Sequence, residues 1–506
     1  MLANVRTFAL EGVDGVEVTV EADVRRGLPA FTIVGLPDRA VRESRERVRA
    51  AMLNSGLDYP QQRITANLAP ASLRKAGPSF DLAIAVAVLA ASGQLPPGEG
   101  AEAVCGELSL SGEIRPIRGA LSMALAARLA GVRRLVVPVE NAPEAALVDE
   151  LEVIGVPSLA QLADMLHGRW EPERAEPAIV RGDRSGEASD FDLADVRGQA
   201  DARRALEIAA AGGHNLLMFG PPGAGKTMLA RRLPGILPPP TMPEAIEITK
   251  VQGAAGFARG GLVADRPFRA PHHTISASGL VGGGVPPRPG EITLAHQGVL
   301  FLDELPEFAR PALEALRQPM EEGVVVIVRG QRSVTYPARA MLVAACNGCP
   351  CARPEGQCTC NDVDRVRYAR RLSGPLLDRI DLVCELGHPP PPVLVGEGSR
   401  AEGSAGVRER VVAARRLQTE RLRDDGIACN AAMDARLTRD RVRLAAPAAA
   451  RLAAGGQLEA LSGRGQDRVL RLARTIADLA QSVEVGPDHL DEALGYRLTD
   501  PARAAA

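Results

Sequence analysis

Eight residues, Gly220-Pro221-Pro222-Gly223-Ala224-Gly225-Lys226-Thr227, constrain this chain more than any other stretch, because they fill every fixed position of the pattern G-x-x-x-x-G-K-[ST]. Asn215 to Phe219 before them read as a buried strand and Met228 to Leu233 after them as an apolar first helix, so the glycines fall at a strand-to-helix turn. In that setting backbone N–H groups converge on a triphosphate at a helix N-terminus, the Lys226 ammonium reaches the β- and γ-phosphates, and the Thr227 hydroxyl can ligate magnesium. A Gly/Pro-rich surface turn is the bland alternative, and it requires neither the strand nor the helix. Composition sharpens the point: Lys75, Lys226 and Lys250 are the only lysines among 60 basic residues, and one stands where the chemistry needs a primary ammonium.

At 506 residues the chain is too long for one core, which implies roughly two to four domains. A net charge of −2 gives no global attraction to nucleic acid, so any such binding needs a local basic surface. The longest apolar run, Leu82 to Ala91, is about half a bilayer span, and the N-terminus has no basic-then-apolar signal pattern. A cytoplasmic protein with no membrane partner is expected. Five of the eight cysteines fall between positions 346 and 360, a spacing that suits a metal cluster better than a secreted disulfide framework.

Residues 1–168 alternate β-rich stretches (Val16 to Val24, Phe31 to Val34, Arg63 to Leu68, Leu108 to Ile114, Arg134 to Val137) with helical ones (Ala40 to Ser55, Phe80 to Ser92, Ala120 to Ala130), as in a compact α+β domain. At Gly77-Pro78-Ser79 and from Gly106 to Gly119 this region resembles the proteolytic domain of Lon proteases. The Lon-type mechanism activates a serine with a lysine, which must be close and partly desolvated. Ser79 falls at the place of that serine, but Leu121 stands where the lysine belongs, and Lys75 does not match the motif. The resemblance therefore implies a Lon-protease-like, non-proteolytic domain with Ser79 as a turn serine. Residues 169–190, charged and proline-containing, read as a linker.

From Phe191 to about 390 the pattern is strand, helix, strand, helix, which suits a P-loop parallel sheet. Val299 to Leu302 followed by Asp303 and Glu304 look like the acidic partner of the cradle, Asp303 on magnesium and Glu304 polarising the attacking water. Val324 to Val328 and Ser333 to Tyr336 flank a basic turn with Arg329, Gly330 and Arg332, a hairpin signal. Met341 to Ala345 is a further core strand ending near Asn347. Cys349, Cys351, Cys358 and Cys360 can close a tetrahedron around zinc, with four reduced thiols in a loop as the alternative. Residues 391–408 are a Pro/Gly/Ser-rich break, and 409–506 carry a helical period.

Several of these segments are similar to those of AAA+ ATPases. Asp195 to Gln199 resembles the stretch that lies against the adenine, Asn347 the sensor that positions the lytic water, and Leu372 to Asp381 the segment bearing an arginine finger, here Arg379. By spacing alone Arg379 is a surface arginine paired with Asp378 or Asp381. The C-terminal helices are similar to the small lid domain, and Leu461-Ser462-Gly463-Arg464 to the start of its sensor helix, with Arg464 the candidate phosphate contact and Arg468 the runner-up. With Arg269 to Ser276, Pro289 to Ile292 and the cysteine cluster, the whole resembles the ComM/YifB family of magnesium-chelatase-like AAA+ ATPases. That resemblance implies a multidomain α/β chain, with a Lon-like α+β domain, a central αβα AAA+ core and a helical lid. It also implies ATP and magnesium as cofactors, a homo-hexameric ring, and DNA translocation or branch migration in recombination or natural transformation. Segments around His272 and His273 and the later hairpin project toward the pore in such rings, so Arg329 and Arg332 would track DNA phosphates, inter-subunit ion pairs being the alternative. Adjacent histidines lack the spacing of a shared metal site. A second functional class is a magnesium-chelatase-type ATPase that remodels a protein partner; a third, an ATP-dependent protease, is disfavoured by Leu121.

Overall fold

In the computed structural model, residues 1–96, 102–180, 191–257, 260–284, 287–329, 332–351, 353, 358–369, 371, 374–389, 401–454 and 461–498 are described. Strict alternation builds the first two strands. β1 (Leu2–Glu11) and β2 (Asp14–Arg25) run antiparallel, Glu11 opposite Asp14 across a two-residue turn in which Gly12 takes φ +66°, a region open to glycine. Along β2, Val18, Val20, Ala22 and Val24 are buried while their neighbours face outward. β3 (Ala30–Val34), β4 (Arg63–Ala69), β5 (Glu102–Val104), β6 (Arg134–Pro138) and β7 (Glu152–Val156) complete a seven-stranded sheet in the order β3-β4-β2-β1-β5-β6-β7.

Helices α1 (Arg39–Asn54), α2 (Asp81–Ala91) and α3 (Ala120–Leu129) pack on this sheet. α2 is apolar on every side and is buried at every position but Ala90, which is what such a helix requires. Its one charge, Asp81, is fully buried and satisfied by both oxygens accepting from Arg47, at 2.6 and 2.9 Å, and by the Leu108 N–H at 3.3 Å. The stretch Leu108 to Ile114, read as one strand, is a tight hairpin instead: Glu107–Leu108 pairs with Ile114–Arg115, the Ser109 N–H donates to the Glu113 carbonyl, and Gly112 takes φ +90°. Its leucine–serine alternation mimicked an extended run.

The segment read as linker is ordered over its described part. Ala175 N–H donates to the Val153 carbonyl, and Ile179–Val180 pairs in parallel with Leu262–Val263 of the next unit; residues 181–190 lie outside the described residues. That unit opens with α4 (Ala200–Gly212) and β8 (Leu216–Phe219), continues through α5 (Met242–Ala255), β9 (Phe268–Arg269) and β10 (Val299–Leu302), and then forms the hairpin β11 (Val324–Arg329) and β12 (Arg332–Pro337). β13 (Met341–Cys346) and β14 (Leu382–Glu385) complete a five-stranded, all-parallel sheet in the order β9-β10-β13-β8-β14. All four residues of β8 and all six of β13 are buried, as strands covered on both faces must be.

Three longer helices, α6 (Ser404–Arg421), α7 (Gly463–Leu479) and α8 (Pro487–Leu498), follow and share one apolar cluster with α4 and the sheet. α6 begins inside the stretch read as a break. Its start is fixed by the Ser404 N–H donating to Asp192 Oδ1 and the Leu193 N–H donating to Ser404 Oγ, each at 2.9 Å; residues 391–400 lie outside the described residues. Among the described residues, no helix is long and apolar enough to cross a membrane.

Candidate active site

In a parallel α/β sheet ligands meet the carboxyl ends of the strands, and this is where the chain gathers its polar groups. Residues 220–225 leave β8 and turn into the helix Lys226–Ala230, with Gly223 at φ +77° and Gly225 at φ +94°. Lys226 is buried, and its Nζ donates to the carbonyls of Gly220 (2.8 Å) and Pro221 (2.9 Å) and to Asn347 Oδ1 (3.0 Å) just past β13. Burial lowers its pKa, with Cys346 and Asp303 acting the other way. Thr227 Oγ1 donates to Asp303 Oδ2 at 2.6 Å. Two oxygens in adjacent positions on one magnesium ion stand about 2.9 Å apart, so this hydroxyl and carboxylate fit a shared ion. Three strands, β8, β10 and β13, thus deliver Lys226, Thr227, Asp303 and Asn347 to one spot. Pro221, Pro222 and Ala224 complete the turn, and Gln199, at φ +56°, ties the preceding segment to it by donating to the carbonyls of Ala224 (3.0 Å) and Gly387 (2.7 Å).

Glu304 departs from this cluster. It too has a left-handed φ, +54°, and its N–H donates to Asp303 Oδ1 at 2.9 Å, while its carboxylate lies 3.2 Å from His273 Nδ1. The His273 ring lies against His272, tilted by 34° with centroids 4.1 Å apart, and meets Phe308 edge-on, and His272 is turned to Thr274 Oγ1 at 3.0 Å. The two histidines have different partners and do not converge on a metal site. Sequence reasoning passed over His273 as a neighbour of Glu304, since 31 positions separate them. It also passed over His388, whose Cε1 lies 3.9 Å from where a Gly223 Cβ would stand.

Arg379 is not brought to this cluster. It precedes β14, and its carbonyl accepts from Asn215 Nδ2 (3.0 Å), at the amino ends of β8 and β14, whereas the glycine turn leaves their carboxyl ends. A four-residue strand separates the two by about 13 Å. The side chain pairs with Glu321, not with Asp378 or Asp381. Asp381 instead accepts from the Asn215 N–H (3.2 Å) and faces His214 and Arg468. Arg464, exposed at the start of α7, lies 3.8 Å from the same Glu321 carboxylate. Arg468, the runner-up, is nearly buried against Asp381 at 3.3 Å, and burial lowers its pKa to about 10. It ties α7 to the start of β14.

The sulfur atoms of Cys349, Cys351, Cys358 and Cys360 all lie within 4.8 Å of one another, with neighbouring pairs at 3.4 to 3.7 Å. The cluster can hold a metal ion. Cys346 stands apart, buried, its thiol pushed up to about 12 by burial. Arg329 and Arg332 form the last backbone pair of the β11–β12 ladder; the turn between them, Gly330 and Gln331, lies outside the described residues. In the N-terminal domain Leu121 is fully buried and Lys75 is buried with its ammonium on the Pro70 carbonyl.

Family models match most of the chain: "Magnesium chelatase, subunit ChlI" over residues 192–391, "Subunit ChlI of Mg-chelatase" over 20–141 and "Magnesium chelatase, subunit ChlI C-terminal" over 401–497. An uncharacterized protein of Mycobacterium tuberculosis H37Rv is 44% identical over 510 residues, covering 99% of this chain and 100% of that one. The uncharacterized protein YifB of Escherichia coli K12 is 44% identical over 504 residues (99% and 97%). Competence protein ComM of Haemophilus influenzae is 43% identical over 504 residues (98% and 97%). Lon protease 2 of Bacillus subtilis is 31% identical over 142 residues, 26% of each chain.

Proposed function

Because the chain belongs to the ComM/YifB family of magnesium-chelatase-like AAA+ ATPases, we propose that it works as a homo-oligomeric ring, a hexamer, coupling ATP hydrolysis to DNA translocation or branch migration. The observation that carries this reading is the separation of Arg379 from its own cradle. A guanidinium at the amino ends of the strands has no route to the phosphates at the carboxyl ends, but it can serve a neighbour's nucleotide. Hydrolysis is then completed only between subunits, with Arg464 beside Arg379 on the same face.

In this reading the backbone of 220–225 and Lys226 hold the phosphates of ATP, and Thr227 and Asp303 hold magnesium, which supplies charge neutralisation at the transferred phosphoryl group. Glu304 accepts a proton from the attacking water and Asn347 orients it. Cys349, Cys351, Cys358 and Cys360 hold zinc: thiolates 2.3 Å from a tetrahedral ion stand about 3.8 Å apart, close to the spacing here. Arg329 and Arg332 on the hairpin follow the DNA backbone. The name of the Haemophilus relative supports a task in competence. Steady-state ATPase rates with and without single-stranded or forked DNA test the proposal, and stimulation that weakens with salt is the expected result. The magnesium-chelatase matches favour a second reading, remodelling of a protein partner; a rate indifferent to every DNA form would select it.

A further inference from the structure

The turn between β1 and β2 belongs to the N-terminal domain, yet its tip is part of the ATPase core. Val13 is 6% exposed and sits in one cluster with Val325, Ile327 and Tyr336 of the β11–β12 hairpin and Leu342 of β13. Gly12 lies flat on β12: a Cβ there would stand 2.9 Å from Val334 Cγ1 and 3.3 Å from the Thr335 carbonyl oxygen. The turn cannot retreat, because Ser122 Oγ on α3 donates to the Val13 carbonyl at 2.6 Å and a Cβ on Gly15 would meet the Ser122 carbonyl at 2.4 Å. Beside it Asp14 pairs with Lys250 of α5 at 2.5 Å, and Gly253 of the same helix lies under Glu144, its added Cβ 3.1 Å from Oε1.

We propose that the N-terminal domain is a brace for the β11–β12 hairpin, seated through the Gly12-Val13 turn, and that it sets the hairpin's position relative to the nucleotide site. β12 runs through Ala338 to Ala340 straight into β13, and just beyond β13 Asn347 accepts from Lys226. A load on the hairpin therefore has a short, buried strand by which to reach the cradle, provided the hairpin's base is held. Val13 holds it. The hairpin's work on DNA rests on the reading above; the bracing does not.

The test uses the full chain with Gly12→Val and Val13→Ala, and Asp14→Ala as a comparison that removes only an exposed ion pair. Amide hydrogen exchange over residues 324–337 is expected to accelerate at least tenfold in the first two variants, while residues 216–219 and 299–302 keep their protection. DNA stimulation of the ATPase should fall at least threefold with KM for ATP within twofold, and Asp14→Ala should match the wild type in both. Unchanged hairpin exchange, or protection lost equally across the central sheet, overturns the brace. A loosened hairpin with undiminished stimulation overturns the coupling. If DNA does not stimulate the wild type, the DNA reading fails by itself and the exchange measurement still decides the brace.

Discussion

Glu144 is buried between the N-terminal domain and α5, with Oε1 accepting from the Leu121 N–H at 3.3 Å and Oε2 without a partner. Burial raises its pKa to about 7, the Leu121 N–H offsetting part of this. The folded protein therefore keeps this proton longer than the unfolded chain, whose carboxyl titrates near 4.5. Its contribution is most favourable below that pH, declines by about 3 kcal/mol as pH rises to 7, and is flat above. Glu144→Gln should accordingly be more stable than wild type at pH 8 and little different at pH 4.5, as read by urea denaturation. Arg379 supports a second prediction. Arg379→Ala should lower kcat by about three to five orders of magnitude without loss of ATP binding. Mixed with Lys226→Ala subunits it should regain part of the activity, because each subunit then supplies the group the other lacks. Mixtures no more active than either variant alone would place the arginine outside the neighbour's site.

At the scale of elements, the cysteine loop and the hairpin carry the sharpest expectations. Cys358→Ser should release one metal ion per chain, measured by elemental analysis, while leaving the sheet's circular dichroism unchanged. Native protein without stoichiometric metal would remove the site. Reversing both hairpin charges, Arg329→Glu with Arg332→Glu, should spare basal ATPase and abolish DNA stimulation; stimulation left intact would sink the hairpin's contact with DNA. Elements with a strong period were legible from sequence: α1, α2 and α3 begin and end within a residue of the expected bounds, and β10 and β13 carry Asp303 and Asn347 at the expected tips. Elements without one were not. Leu108 to Ile114 folds back on itself because Gly112 adopts a left-handed turn, and β1, whose Leu2–Glu11 alternation is weaker, went unread.

At the scale of the molecule, the proposed sharing of a nucleotide between subunits predicts that activity depends on assembly. Mass photometry should find the wild type assembled in ATP, and its specific activity should rise with protein concentration. A monomer hydrolysing ATP at full rate would end the ring reading. The amino-acid sequence by itself determined the cradle, its acidic strand and the clustered thiols, because each is a local pattern whose residues lie within a few positions of one another. Only the tertiary structure decided that Arg379 and Arg464 share Glu321 at the far end of the sheet, that Glu304 leans on His273, and that Val13 plugs a core some 300 residues downstream. Contacts of that kind leave no period or spacing in the chain, since they are set by which strands lie side by side and which surfaces exclude water together.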